Sequence, residues 1–206
     1  MERLFQIKQN NDTIMARVKE FDSHEALEAA MMLFWAQGYT ATSINQLVEV
    51  MGISRSSMYA EFGNKRDLFI ETLSLYRFIS TELIDTISLA ENPVGAIRDF
   101  YEVGFSILPD KYLYQGCLLV NTILELRDVD NELSSMAVKY FDDVENSLVA
   151  CFQKCVVNGS LDQKHDPERL ANFFMTTIKG MRVVARQNTD RKYLQGVIET
   201  ALLVLR

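Results

Sequence analysis

Between residues 22 and 63 the chain repeats one pattern three times: a capping residue, a short run with one apolar face, then glycine. Asp22 and Gly38 bracket the first run, Ser43 and Gly52 the second, Ser54 and Gly63 the third. A short polar side chain ahead of a helix accepts hydrogen bonds from N–H groups that the first turn leaves without partners. A glycine behind the helix supplies the backbone that ends it. Asp22 with Glu25, and Ser43 with Gln46, have capping-box spacing. Ala26, Leu27, Ala30, Leu33 and Phe34 recur at helical period in the first run, and Ile44, Leu47 and Val48 in the second. Helices this short do not persist alone in water. They must share a core, expected to hold Leu27, Ala30, Phe34, Ile44, Leu47, Val48, Ile53, Met58, Tyr59, Phe62, Leu68 and Phe69. Asn64 and Asp67 open a fourth helix, expected over 65–90.

Beyond residue 90 the helices lengthen. NPVG, at 92–95, reads as a start with proline in the first turn. LPDKY, at 108–112, is a break; GCLLVNTILEL is an apolar helix, and RDVDNEL leads into a long one ending near Gly159. HDPERL starts another, to about Gln187, and TDRKYLQGVIETALLVL is the last. No run has the alternation of a strand. With only 3 prolines and 9 glycines in 206 residues, an all-α fold is expected. Its expected parts are an N-terminal arm (1–20), a helix-turn-helix domain (21–67) and a larger helical domain (68–206) for ligand binding and dimerisation.

Residues 43–60 have helix-turn-helix layout: a short helix, the turn MGIS, and a second helix from Arg55. The second helix is the one that enters a major groove, first turn foremost. Arg55, Ser56 and Ser57 stand there. Arginine donates to a guanine edge or a phosphate, and serine hydroxyls serve either. Tyr59 lies one turn further on, its phenol within reach of the DNA backbone. Lys65 and Arg66 occupy the first turn of the next helix, where positive charge opposes the helix dipole. A phosphate held at that helix start and by Lys65 accounts for the choice. Thr42 and Ser43, opening the preceding helix, are candidates for another phosphate, and Arg17 and Lys19 for a DNA-contacting arm. Taken singly, each has a plain reading: Arg55 a surface arginine, Tyr59 a core aromatic, Lys65 a solvated charge. Their order is what favours double-stranded DNA.

The formal net charge is -7, so nonspecific attraction to nucleic acid is not available. Contact must be confined to a local patch. From Ser54 to Arg66 three positive residues stand against Glu61 alone. The apolar runs are too short and too often broken by charge to span a membrane. The start MERLFQIKQNNDTIMARVKEFD is too polar for a secretion signal, and Met15 is an alternative start. A cytoplasmic protein, nucleoid-associated when bound to DNA, is expected. Three cysteines and two histidines form neither a disulfide framework nor a zinc spacing. No metal, cofactor or enzymatic activity is expected: ligating clusters, phosphate-cradling glycine loops and catalytic triads are all missing from the sequence.

The stretch AAMMLFWAQGYTATSINQLVEVMGISRSSMYAEFGNKRDLF closely resembles the N-terminal domain of the tetracycline-repressor (TetR) family of transcriptional regulators. Phe34, Gly38-Tyr39, Thr42-Ser43-Ile44, Gly52-Ile53-Ser54, Met58-Tyr59, Phe62 and residues 65–68 carry the resemblance. It implies a dimer, DNA contacts at Thr42, Ser43, Arg55, Ser57, Tyr59 and Lys65, and a helical C-terminal domain that binds an inducer. Asn64 stands where many members have serine or aspartate, and Val48-Glu49 where alanine is frequent. MARVKEFD and YQGCLLVNTILEL also resemble the branch containing electrophile- and metal-responsive repressors.

The function expected is a sequence-specific repressor released from its operator by a small-molecule inducer of unidentified structure. Candidate pocket residues are Phe100, Tyr101, Phe105, Tyr114, Cys117, Phe141, Phe152 and Phe173. The last two helices each carry a broad apolar face, including Phe173, Phe174, Thr177, Ile178 and Met181 on one and Leu194, Val197, Ile198 and Leu202 on the other. Paired with their symmetry mates they predict a homodimer interface centred on Phe174, Ile178, Met181, Leu194, Ile198 and Leu202. Alternatives are an activator, or a thiol- or metal-responsive regulator using Cys117 or the pair Cys151 and Cys155, which stand four apart on one helical face. Plain core packing is the competing reading of all three cysteines.

Overall fold

The structure, a computed structural model, describes residues 21–89, 93–102, 105, 113–187 and 190–206. Among these residues the fold is all-α. The chain divides into two compact units, Met1–Ile79 and Ser80–Arg206.

In the first unit α1 spans Ser23–Gln37, α2 Ile44–Met51 and α3 Arg55–Phe62, and α4 begins at Lys65 and continues to Leu89. Each start is held by the side chain ahead of it. Asp22 accepts from the N–H groups of His24 and Glu25 at 2.8 and 3.2 Å. Ser43 and Gln46 form a reciprocal capping box. Ser54 accepts from the Ser57 N–H at 3.0 Å. Asn64 accepts from Arg66 and Asp67, while the Asp67 carboxylate accepts from the Asn64 N–H, so α4 is boxed in the same way. Such a cap contributes about 1 kcal/mol, too little to form helices of this length alone. The remainder comes from a shared interior: Phe34, Leu47, Met58 and Leu68 are fully buried, and Phe34 meets Phe69 edge-on with ring centres 4.9 Å apart. Burying one such side chain contributes about 1.5–3 kcal/mol. Tyr59, expected in this core, is instead exposed. It follows Met58 on α3, and the 100° step between neighbours sends one inward and the other out.

In the second unit α5 spans Pro93–Glu102, α6 Leu118–Leu126, α7 Asn131–Val157, α8 Pro167–Ala185 and α9 Arg191–Leu202, followed by a 3-10 turn at Leu203–Leu205. Asp130, Asp166 and Asp190 cap the last three helices. Helix α7 packs on α6 and α8, and α9 packs on α5 and α8. At the centre, Phe174 stacks on Phe152 and meets Tyr101 edge-on, with ring centres 5.6 and 6.0 Å apart.

Candidate nucleic-acid interface

The turn between α2 and α3 is made by Gly52, whose φ of 65° is left-handed. Its neighbour Ile53 returns an N–H to the Val48 carbonyl at 3.2 Å, closing the end of α2 while α3 sets off in a new direction. Met58 and Phe62 point into the core. The outer side of α3 is therefore left to Arg55, Ser56 and Tyr59, all exposed, with Ser57 half-buried beside them.

Local hydrogen bonds hold several of these groups. The Arg55 Nη2 donates to the Asn45 Oδ1 at 2.6 Å, joining the first turns of α2 and α3. The Ser54 hydroxyl lies 2.8 Å from each of the Ser56 and Ser57 hydroxyls. Hydroxyls can rotate to exchange these partners for a phosphate oxygen. Ser43 is exposed on the same module, its hydroxyl donating to Gln46. Thr42 is placed differently. It is 1 % exposed, and its hydroxyl donates inward to the Gly38 carbonyl at 2.6 Å.

Lys65 stands at the first residue of α4, with its ammonium 4.4 Å from the centre of the Tyr39 ring. Tyr39 in turn leans on Phe69, centres 4.8 Å apart. The cation thus has a stabilising partner in the free protein, since a ring face attracts positive charge. That offsets the unfavourable end of the helix dipole, which the sequence accounted for by phosphate alone. Arg17 and Lys19 lie outside the described residues.

Two family models cover most of the chain: bacterial regulatory proteins of the tetR family match residues 26–72, and the tetracyclin repressor-like C-terminal domain matches residues 93–201. The chain belongs to the TetR family. A curated relative, the HTH-type transcriptional repressor ComR of Escherichia coli K12, is 29% identical over 188 residues, covering 90% of each chain. The uncharacterized HTH-type transcriptional regulator YezE of Bacillus subtilis is 27% identical and is matched over its whole length, covering 93% of this chain. Among solved structures, a cysteine mutant of the TetR-family regulator CifR, complexed with 26 bp double-strand operator DNA, has TM-score 0.80 and 28% identity, over 93% of this chain and 100% of that one.

The second unit of this TetR-family chain sorts the other candidate residues. Tyr101, Phe105, Phe141, Phe152 and Cys117 are buried, and Phe100 is half-buried. Tyr101 and Phe152 neighbour Phe174, while Phe100 and Phe105 neighbour Tyr101. The Tyr101 hydroxyl donates to the Phe174 carbonyl at 3.1 Å, and burial pushes its pKa far up. Phe141 lies instead beneath Lys179, 4.7 Å from ammonium to ring centre. Tyr114 and Phe173 are exposed.

The six residues expected to centre a dimer interface lie elsewhere than on a free surface. Phe174, Ile178, Met181, Leu194, Ile198 and Leu202 are each at most 8 % exposed within the single chain. They are buried within the second unit's own core, Phe174 against Tyr101 of α5 and Phe152 of α7. The adjoining faces of the same helices form an open, mainly apolar groove of about 610 Å³. Phe173, Thr177, Lys192, Tyr193, Gly196, Val197, Thr200, Ala201 and Val204 line it. Phe173, Thr177, Val197 and Ala201 belong to the faces read from the sequence; Tyr193 and Val204 do not.

All three cysteines are buried, and none is in a disulfide. The Cys155 thiol donates to the Cys151 carbonyl one turn back. Burial pushes the Cys151 thiol up to about 12, and that of Cys155 in the same direction. Among the described residues no group of three or more His, Cys, Asp or Glu side chains could hold a metal, and no helix is long and apolar enough to cross a membrane.

Proposed function

We propose that this chain is a homodimeric, sequence-specific DNA-binding repressor that leaves its operator when a small molecule binds the second unit. The observation that carries the reading is α3. It follows a capped helix and a left-handed glycine, is anchored by buried Met58 and Phe62, and turns Arg55, Ser56 and Tyr59 outward. That is the arrangement by which a recognition helix offers its first turn to base edges. Lys65 and the serine hydroxyls supply phosphate contacts on either side. ComR is a repressor, and CifR binds operator DNA; their similarity supports the same role here.

A single module with few cations binds DNA weakly, especially on an acidic protein. Two modules one helical repeat apart, about 34 Å, bind a palindromic site jointly. The groove on α8 and α9 is the surface we assign to the second copy. Tyr193, Phe173 and Val197 provide the apolar contact expected at the centre of such an interface. A thiol-sensing mode finds no support in Cys151 and Cys155, because burial pushes both thiols up and so disfavours the reactive thiolate.

Selection from a random duplex library by the purified protein tests the DNA reading. A palindromic motif should be enriched, and the complex should contain two chains. Failure to enrich any motif would remove sequence-specific binding. Challenge of that complex with candidate inducers then tests release. Operator position relative to the promoter separates repression from activation.

A further inference from the structure

We infer that Asn45 is a specificity-positioning residue: its side-chain oxygen holds Arg55 in the pose that reads the base edge. This rests on the DNA-binding reading above and goes beyond it, because Asn45 is assigned to the reading surface by neither the sequence pattern nor the resemblance.

The geometry is direct. Asn45 is the second residue of α2 and Arg55 the first residue of α3. They are ten apart in sequence, yet the glycine turn brings their side chains to a 2.6 Å hydrogen bond. An arginine only donates, so the Asn45 amide must present its oxygen to Arg55 and its NH2 elsewhere. The bond involves Nη2 and leaves other guanidinium N–H groups for a ligand. A guanine edge takes two parallel donors from arginine, and a guanidinium fixed in direction satisfies that demand with less ordering on binding.

The pair has no evident structural duty. Both side chains are exposed, and an exposed hydrogen bond contributes little to folding because water replaces it. Neither closes a helix end, since Ser43 and Ser54 already cap α2 and α3. The choice of side chain also suits the site. A carboxylate in place of Asn45 would hold Arg55 more tightly while placing a negative charge against the phosphates. The neutral amide positions the cation without cancelling it.

Wild type, Asn45→Ala, Asn45→Asp, Arg55→Ala and the double variant Asn45→Ala/Arg55→Ala are titrated against the selected operator. The same proteins are titrated against operators changed one base pair at a time and a scrambled duplex. If wild type does not discriminate operator from scrambled DNA, the function proposed above has failed. Given discrimination, Asn45→Ala should lose roughly 5–150-fold on the operator and little on scrambled DNA, the range of one good base contact. The lost preference should map to the base pair that Arg55→Ala also affects. In the Arg55→Ala background the Asn45 change should add nothing. Asn45→Asp keeps the acceptor, so it should retain the base preference while weakening all duplexes alike. Equal loss by Asn45→Ala on operator and scrambled DNA overturns the inference. So does a loss that adds to that of Arg55→Ala, which would make Asn45 an independent contact.

Discussion

The Lys65 ammonium sits 4.4 Å from the centre of the Tyr39 ring, at the first residue of α4. The ring keeps the cation at the helix start, where a DNA phosphate would meet its charge. Lys65→Gln should weaken binding to every duplex by a similar factor and lower the salt slope by about one. Dissociation constants measured across a potassium chloride series check this. A loss confined to the operator would instead make Lys65 a base-reading residue.

Gly52 carries the turn. A Cβ there meets nothing within 4 Å, so space is not the constraint; the φ of 65° is. Gly52→Ala should cost about 1–2 kcal/mol, the penalty for a left-handed residue with a side chain. Urea unfolding measures the cost, and none would mean that the turn relaxes to another conformation without loss.

The two sides of α8 and α9 should separate cleanly by mutation. Val197→Asp on the groove should shift the protein towards monomer in sedimentation while leaving the helical content unchanged. Ile198→Ala, one residue on but 2 % exposed, should cost about 2–5 kcal/mol of stability with the dimer intact below its melting temperature. A fully dimeric Val197→Asp protein would place the partner elsewhere.

Cys151 and Cys155 should resist thiol reagents near neutral pH, because the thiolate is the reactive form and burial disfavours it. Titration with a chromogenic disulfide should give slow labelling of these two in the folded protein and full labelling in denaturant. Rapid stoichiometric reaction of either in the folded state would revive the sensor alternative.

Glu71 gives a pH signature. Burial, then the charges of Glu61 and Asp67, raise its pKa above the ordinary 4.5. The folded state therefore holds this proton more tightly than the unfolded state. The charge costs nothing below pH 4.5, and its penalty develops as pH rises through the raised value. Glu71→Gln should thus be slightly more stable than wild type at pH 7. The side chain is exposed and screened, so the gain should not exceed about 0.5 kcal/mol. Paired melting curves should show the difference vanishing at low pH; a constant difference would assign it to something other than titration.

Much of the first unit was legible in the sequence because its signals are local. The caps at Asp22, Ser43, Ser54 and Asn64 act within three residues, so spacing alone locates each helix start. The closing glycines act on the turn just before them, and the exposure of Arg55 follows from its place at a helix start. Sides of helices were harder to read. Thr42 looks like a surface hydroxyl until the Gly38 carbonyl is found 2.6 Å away. Tyr59 and Met58 are both large and apolar enough for a core, and only the packing of α3 selects Met58.

The second unit makes the division plain. Periodicity identifies α8 and α9 as apolar on more than one side, since Phe173 and Phe174 are adjacent and alike. Which ring enters the chain's own core and which remains for a partner depends on α5, α7 and α9, distant in sequence. Phe174 found Tyr101 and Phe152; Phe173 was left on the groove. The sequence by itself determined the all-α class, the helix starts and the family, because these rest on interactions within a turn or on a contiguous pattern. Tertiary structure alone decided the Asn45–Arg55 bond, the Lys65–Tyr39 contact and the inward side of α8. Each depends on residues brought together by helix packing, which local spacing does not encode.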